Sequence, residues 1–385
     1  MDRVRIGVVG LGNMGRIHAE YLLEGKIRRA ELTAVADPIP ERLEAFRGIR
    51  TFLRSEDLVR SGAVDAVLIA TPHYFHTTVG VDALEQGLHV LVEKPISVHK
   101  GDAERMIAAH KNPAQVFAAM FMQRTDPHYK RIKRLIDSGE LGEIRRTNWV
   151  TTDWFRTEAY YASSDWRATW KGEGGGLLLN QCAHNLDLFQ WLCGMPKRVR
   201  AFAGLGKYHS IEVEDEVTAY LEYPNGATGV FVASTGEAPG TNRLEIAGDR
   251  GRVVLEKDTI TFTRNEVPAS SFLKECSQAF AKPDVWEVNI PAEGKGGQHA
   301  EVTQNFVDAI LDGVPLIAPA EEGIRSVELA NAMIYSHFKA QTVELPLDGT
   351  AYEQLLQDLI RTSRPKKRLT AGSVATGSEM SKSFQ

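Results

Sequence analysis

At 385 residues, the chain is too long for one compact core and predicts two domains. Its 43% apolar and 25% charged residues are the balance of a globular protein in water, and a net charge of -5 argues against a basic nucleic-acid surface. No apolar run reaches membrane-spanning length. Met1-Asp2-Arg3 leads straight into a strand pattern, which predicts no signal peptide and a cytoplasmic location. Cys182, Cys193 and Cys276 form no CxxC pair, so reduced thiols are expected, with neither a disulfide framework nor a metal site.

Residues 1–123 alternate strand and helix patterns. Strands are expected at Arg5–Gly10, Glu31–Asp37, Val64–Ala70, His89–Val92 and Gln115–Met120. Helices are expected at Met14–Leu23, Pro40–Arg47, Thr77–Gln86 and Gly101–His110. Nearly continuous apolar strands between helices predict a doubly wound, parallel α/β sheet. Gly10-Leu11-Gly12-Asn13-Met14-Gly15 reads G-x-G-x-x-G at the first strand–helix turn, and Asp37 ends the next strand 22 residues after Gly15. That context predicts a Rossmann dinucleotide site. Gly10 makes the tight turn, Gly12 lets backbone approach the pyrophosphate, and Gly15 packs helix on sheet. Asp37 is expected to hold the ribose hydroxyls and to repel a 2′-phosphate. Pro38-Ile39-Pro40 supplies no adjacent cation, so NAD is expected over NADP.

From residue 124 to 363 the rhythm changes to an α+β domain with a large, mostly antiparallel sheet. A helix, Pro127–Asp137, precedes strands at Arg145–Thr152, Val199–Leu205, Asp215–Tyr223, Thr228–Ser234, Asn242–Ala247 and Arg252–Leu255. Tyr223-Pro224-Asn225-Gly226 is a hairpin turn. Helices follow at Ala300–Leu311 and Glu321–Ala340. Residues 364–385 are polar, lack periodicity and are expected to form a mobile tail.

Val92-Glu93-Lys94-Pro95 stands at a strand's carboxyl end, where ligands of open parallel sheets bind. Together with the glycine fingerprint, the turn from Ala70-Thr71-Pro72 through His73 to His76, and Gly174-Gly175-Gly176 leading to His184 and Asp187, it closely resembles the glucose-fructose oxidoreductase, inositol dehydrogenase and rhizopine catabolism family, Gfo/Idh/MocA. The resemblance implies a two-domain NAD(P)-dependent oxidoreductase of sugars, inositols and related polyols, dimeric or tetrameric through the large sheet. It implies a catalytic lysine at Lys94 and a catalytic histidine at His184. The family's usual aspartate falls on Asn180, a departure. The residues expected at the cofactor are Gly10, Gly12, Asn13, Met14, Gly15, Asp37, Thr71, Pro72, His76, Glu93, Lys94 and Arg124.

The chemistry can also be read from the residues. Hydride loss from an alcohol carbon needs the hydroxyl proton removed, and an imidazole suits that task. Lys94 can relay a proton or stabilise an alkoxide. Leu177–Leu192 is helix-like, which would put Asn180 and Asp187 on the face of His184, with Asn180 as a positioning residue. Four of six tryptophans crowd into Trp149–Trp170. Trp154, Arg156, Tyr160, Trp166 and Arg167 are expected to line a sugar cleft with Lys94, Asn180 and His184; a core or interface role for these aromatics is the competing reading. Three functions stay open at this point: a dehydrogenase, an NAD-dependent glycosidase working by transient oxidation and elimination, and a non-catalytic sugar or dinucleotide sensor.

Overall fold

The computed structural model describes residues 2–364. Apart from Arg364, the expected tail lies outside the described residues. Arg364 itself is anchored, its backbone N–H donating to Glu212 at 2.9 Å.

β1 (Val4–Val9), β2 (Ala30–Ala36), β3 (Arg50–Phe52), β4 (Ala66–Ile69), β5 (His89–Val92) and β6 (Phe117–Ala119) form a parallel sheet in the order β3-β2-β1-β4-β5-β6. The order reverses between β1 and β4, which opens a crevice at their carboxyl ends. Val8, Val67, Leu68, Val90 and Leu91 are fully or almost fully buried, as strands covered on both faces require. β3 has three residues, too few for a periodic signal. The expected Thr77–Gln86 helix begins earlier, at His73, directly after Pro72. Proline is tolerated there because the first helical amides have no intrahelical acceptor. His73 and His76 are therefore in the helix's opening turns and not in a loop.

The second sheet comprises β7 (Ile144–Thr151), β8 (Arg198–Leu205), β9 (Glu214–Glu222), β10 (Thr228–Ser234), β11 (Asn242–Gly248), β12 (Gly251–Glu256), β13 (Thr259–Asn265), β14 (Val285–Ile290) and β15 (Val343–Glu344). Its order is β14-β13-β12-β11-β7-β10-β9-β8-β15, antiparallel except for the β7–β10 pair. Trp149, Ala219, Leu221, Phe231 and Leu244 point into a core shared with helices Ala183–Cys193 and Ala320–Lys339. Strand alternation leaves Phe202 and Tyr220 exposed on the opposite face.

Helix Ala183–Cys193 starts six residues later than expected. The reason is competition for the amides before it. Glu214 accepts from Gly176 N–H at 2.9 Å and Leu178 N–H at 3.0 Å through its carboxylate, and from Leu177 N–H at 3.0 Å through its carbonyl. Residues 177–182 are thereby bound to β9 as a turn. Asn180 is in that turn and does not share a helix face with Asp187.

Asp187 is engaged elsewhere. It takes two hydrogen bonds from Arg124, at 2.6 and 2.8 Å, and both side chains are 1% exposed. The same guanidinium bonds Glu322 at 2.6 Å and the Ile317 carbonyl at 3.3 Å. Arg124, expected from the sequence at the cofactor, turns its nitrogens onto two helices of the second domain. Asp187→Ala would leave this buried cation half matched. Chemical denaturation should show a loss of about 3–5 kcal/mol, and a paired apolar replacement of Arg124 and Asp187 should recover much of it.

Candidate active site

The glycine fingerprint builds a cradle for a dinucleotide. A Cβ on Gly15 would stand 1.7 Å from the Gly10 carbonyl oxygen, and one on Gly10 would meet the Ala70 carbonyl at 2.7 Å. Both positions are closed by packing. A Cβ on Gly12, by contrast, would meet nothing within 4 Å, so this backbone is open to a ligand. Gly12 is also the N-cap of helix Asn13–Leu23 and gives it no side-chain cap, leaving the first amides for an anion. Asn13 and Met14 belong to that first turn.

Asp37 is 3% exposed. It accepts from Leu11 N–H at 2.7 Å and Ile39 N–H at 2.9 Å, which fixes the carboxylate at the end of β2. The short helix Pro40–Leu43 turns Arg42 back onto it at 3.2 Å. A cation therefore does reach Asp37, from beyond the three residues that follow it. At the end of β4, the Thr71 hydroxyl is buried without a protein partner, while Pro72 caps the next helix. His76 lies between the Thr71 and Pro95 carbonyls, each 2.8 Å from a ring nitrogen, and its neutral ring donates to one of them.

The candidate reacting centre lies after β5. Glu93 bonds His18 at 2.7 Å and receives the Lys94 N–H at 3.1 Å. Burial would raise the Glu93 pKa, but His18, His299 and Lys94 hold it at about 2, so this buried carboxylate is ionised. Burial pushes the Lys94 pKa down, opposed by Glu93 and Glu173. The Lys94 ammonium donates to the Asn180 carbonyl at 3.1 Å, across the domain seam.

His184 is 2% exposed, and neither ring nitrogen has a protein hydrogen-bond partner. Burial first, and Lys94 second, press its pKa well below the ordinary value, so the imidazole is neutral near pH 7. Asn180 is in the turn before the His184 helix and not on its face. Its carbonyl meets Lys94, while its side-chain amide donates to Glu173, a residue 1% exposed. Glu173, His18, His299 and Arg42 were missed by sequence reasoning. Only Glu173 carried a signal, as a charge directly before a glycine run.

The aromatic segment divides in two. Trp149 is fully buried against Tyr129 and Phe189, and Trp170 packs on Phe338, so these two are core. The rest gathers on one wall. Arg156 stacks over Trp154 and Tyr160, and Arg167 over Tyr160 and Trp166. Tyr160 OH accepts from Arg167 at 2.6 Å and from Gln181 at 2.9 Å. Trp166 meets His73 edge to face. Both guanidiniums lower the Lys94 pKa, which ties this wall to the same centre. Cys182 is buried, with its thiol pKa raised well above normal by burial, as befits a core residue.

Comparison with known proteins agrees with this architecture. Residues 4–121 match the oxidoreductase family with an NAD-binding Rossmann fold, and residues 129–254 match the GFO/IDH/MocA C-terminal domain. The chain is 32% identical over 196 residues to an inositol 2-dehydrogenase of Corynebacterium glutamicum, a stretch that covers 50% of this chain and 54% of that protein. It therefore spans about half the length of this relative. It is 32% identical over 249 residues to the rhizopine catabolism protein MocA of Rhizobium meliloti, covering 62% of this chain and 74% of that one. The solved structure of the WlbA dehydrogenase from Bordetella pertussis, in complex with NADH and UDP-GlcNAcA, is similar with a TM-score of 0.75 at 26% identity, over 90% of this chain and 100% of that one. With a dinucleotide cradle in the first domain, a lysine–histidine centre at the seam and both domains matched in order, this chain belongs to the Gfo/Idh/MocA oxidoreductase family.

Proposed function

We propose that the chain is an NAD-dependent dehydrogenase acting on a secondary hydroxyl of a sugar, glycoside or inositol-type polyol. The observation that carries this reading is His184. A buried imidazole with two unpartnered nitrogens is costly, and such orphaned groups in a native fold call for a functional reason. A substrate hydroxyl would satisfy one nitrogen. The inositol 2-dehydrogenase relative and the nucleotide-sugar complex of the WlbA dehydrogenase support the polyol class.

Bound NAD would supply the hydride acceptor, its pyrophosphate held at Gly10, Gly12, Asn13, Met14 and Gly15 and its ribose at Asp37. The remaining work belongs to the protein. His184, neutral near pH 7, takes the hydroxyl proton. Lys94 holds the oxygen and lowers the pKa of the bound hydroxyl. Asn180 positions Lys94. Trp154, Tyr160 and Trp166 offer ring faces to the substrate's C–H surface, and Arg156 and Arg167 offer donors to its hydroxyls. The exposed Phe202 and Tyr220 face of the second sheet supports a homo-oligomer built through that sheet.

Net NADH formation on adding polyols is the deciding test. A glycosidase working by transient oxidation would release a sugar with no net NADH, and a sensor would do neither.

Cofactor choice rests on Asp37 against Arg42. Parallel titrations should show tighter binding of NAD than NADP. Asp37→Ala should narrow the gap, because it removes the repelling carboxylate and frees Arg42 for a 2′-phosphate. Equal or tighter NADP binding by the unaltered protein would refute this assignment.

Proton release sets the pH dependence. His184, its pKa pressed well below normal by burial and by Lys94, is ready to take a proton, Lys94 acts as the cation, and oxidation of the bound hydroxyl releases a proton. Oxidative turnover should therefore rise from mildly acidic to mildly alkaline pH, and the reductive direction should fall. Lys94→Ala and His184→Ala should each cost about 10²-fold or more in kcat. The double variant should be little worse than the poorer single one, since the two act as a unit. NAD affinity, read by fluorescence titration, should survive in all three. Near-full turnover in either single variant would show that its residue has been assigned the wrong role.

A further inference from the structure

Glu173 is a buried carboxylate that the mechanism above does not use. It is 1% exposed and precedes Gly174-Gly175-Gly176. One oxygen accepts from the Ala168 N–H at 2.5 Å, and the other accepts from the Asn180 side-chain amide. Asn180 is the same residue whose carbonyl receives the Lys94 ammonium at 3.1 Å. A continuous chain therefore runs from the Glu173 carboxylate through one asparagine to the lysine. A surface carboxylate could be spared at little cost, but burying one needs paired donors and nearby cations. Here the donors are the Ala168 N–H and the Asn180 side-chain amide.

We propose that Glu173 is a positioning residue of this site: its carboxylate locks Asn180 so that the Asn180 carbonyl aims Lys94 at the substrate oxygen, and its charge keeps Lys94 protonated. The proposal rests on the dehydrogenase reading for what Lys94 does, but not for the link itself. Asn180, being neutral, supplies no charge. Glu173 supplies it from one residue further out.

The electrostatic surroundings are consistent. Lys94 faces two carboxylates, Glu93 and Glu173, and two guanidiniums, Arg156 and Arg167. Glu93 is already committed to His18. The nearby imidazoles of His73, His76, His184 and His299 are each held below their ordinary pKa by burial, so they add little charge near neutrality. Burial raises the Glu173 pKa, while Arg167, the Ala168 amide, Asn180 and Lys94 favour its ionised form. Glu173 is thus the anion on the second-domain side whose removal leaves Lys94 most exposed to the two guanidiniums.

The test is trace acetylation of the full-length protein with acetic anhydride across pH, with Lys94 acetylation followed by mass spectrometry. Its midpoint reports the lysine pKa and needs no substrate, so it is readable even if the NADH assay fails. In Glu173→Gln the midpoint should fall by about one pH unit. The kcat of polyol oxidation should fall about tenfold at constant NAD affinity. Glu173→Asp keeps the charge but draws the carboxylate back from Asn180, so it should lose kcat with a smaller midpoint shift. The exchange E173Q/N180D returns one carboxylate to the pair and should restore the midpoint. It also covers the case in which Glu173→Gln alone does not fold. An unchanged midpoint in Glu173→Gln, or a midpoint in the exchange variant no nearer the parent's than that of Glu173→Gln, would overturn the proposal. A purely structural Glu173 would lower melting temperature and leave the midpoint where it was.

Discussion

An ammonium group placed at the seam between two domains constrains most of what surrounds it. Lys94 is on a strand end of the first domain, and its hydrogen bond goes to a carbonyl of the second. Taking that cation out of water is expensive unless anions and acceptors are fixed nearby. The first domain meets the demand with Glu93, held ionised by His18. The second meets it with the Asn180 carbonyl and with Glu173. Neither domain could satisfy the lysine alone, so its charge also ties the halves together. Arg124 is matched in the same way, through Asp187 and Glu322. The two cations differ in how they are matched. Arg124, 1% exposed, is met by two carboxylates and the Ile317 carbonyl. Half-buried Lys94 donates to the Asn180 carbonyl.

How much of this was legible in the sequence depended on the range of the interaction. The glycine fingerprint was readable because each glycine answers a local need, a turn at Gly10 and a close approach at Gly15, and because Asp37 ends the very next strand. Lys94 was readable because strand ends carry the ligands in parallel sheets. Trp149 and Trp170 looked the same as Trp154 and Trp166 in the sequence, and only their packing in three dimensions separates the two buried in the core from the other two. Arg124 gave no warning of its ion pairs, since Asp187 and Glu322 are 63 and 198 residues away. β14 went unread for the opposite reason: its side chains are almost all exposed, so the apolar contrast that marks a strand is weak.

The displaced start of helix Ala183–Cys193 shows how a local pattern can be overruled. Leu177 to Leu192 has the composition of a helix, and propensity favours continuing it. Glu214 wins because it offers a carboxylate and a carbonyl to three successive amides, and a buried acceptor left unmet costs more than a turn of helix gains. Burial raises the Glu214 pKa to about 7, even with those amides bonded, so this acid sits near its titration point at neutrality. The consequence reaches the site. Residues 177–182 stay a turn, so the Asn180 carbonyl is not consumed by a helical hydrogen bond and is free to meet Lys94. Had the helix begun at Leu177, that oxygen would face the His184 amide, four residues on. The lysine would then lose its one protein acceptor, and the Asn180 side chain would be carried out of line with Glu173. A carboxylate on β9, away from the reacting atoms, therefore decides whether the centre can form at all.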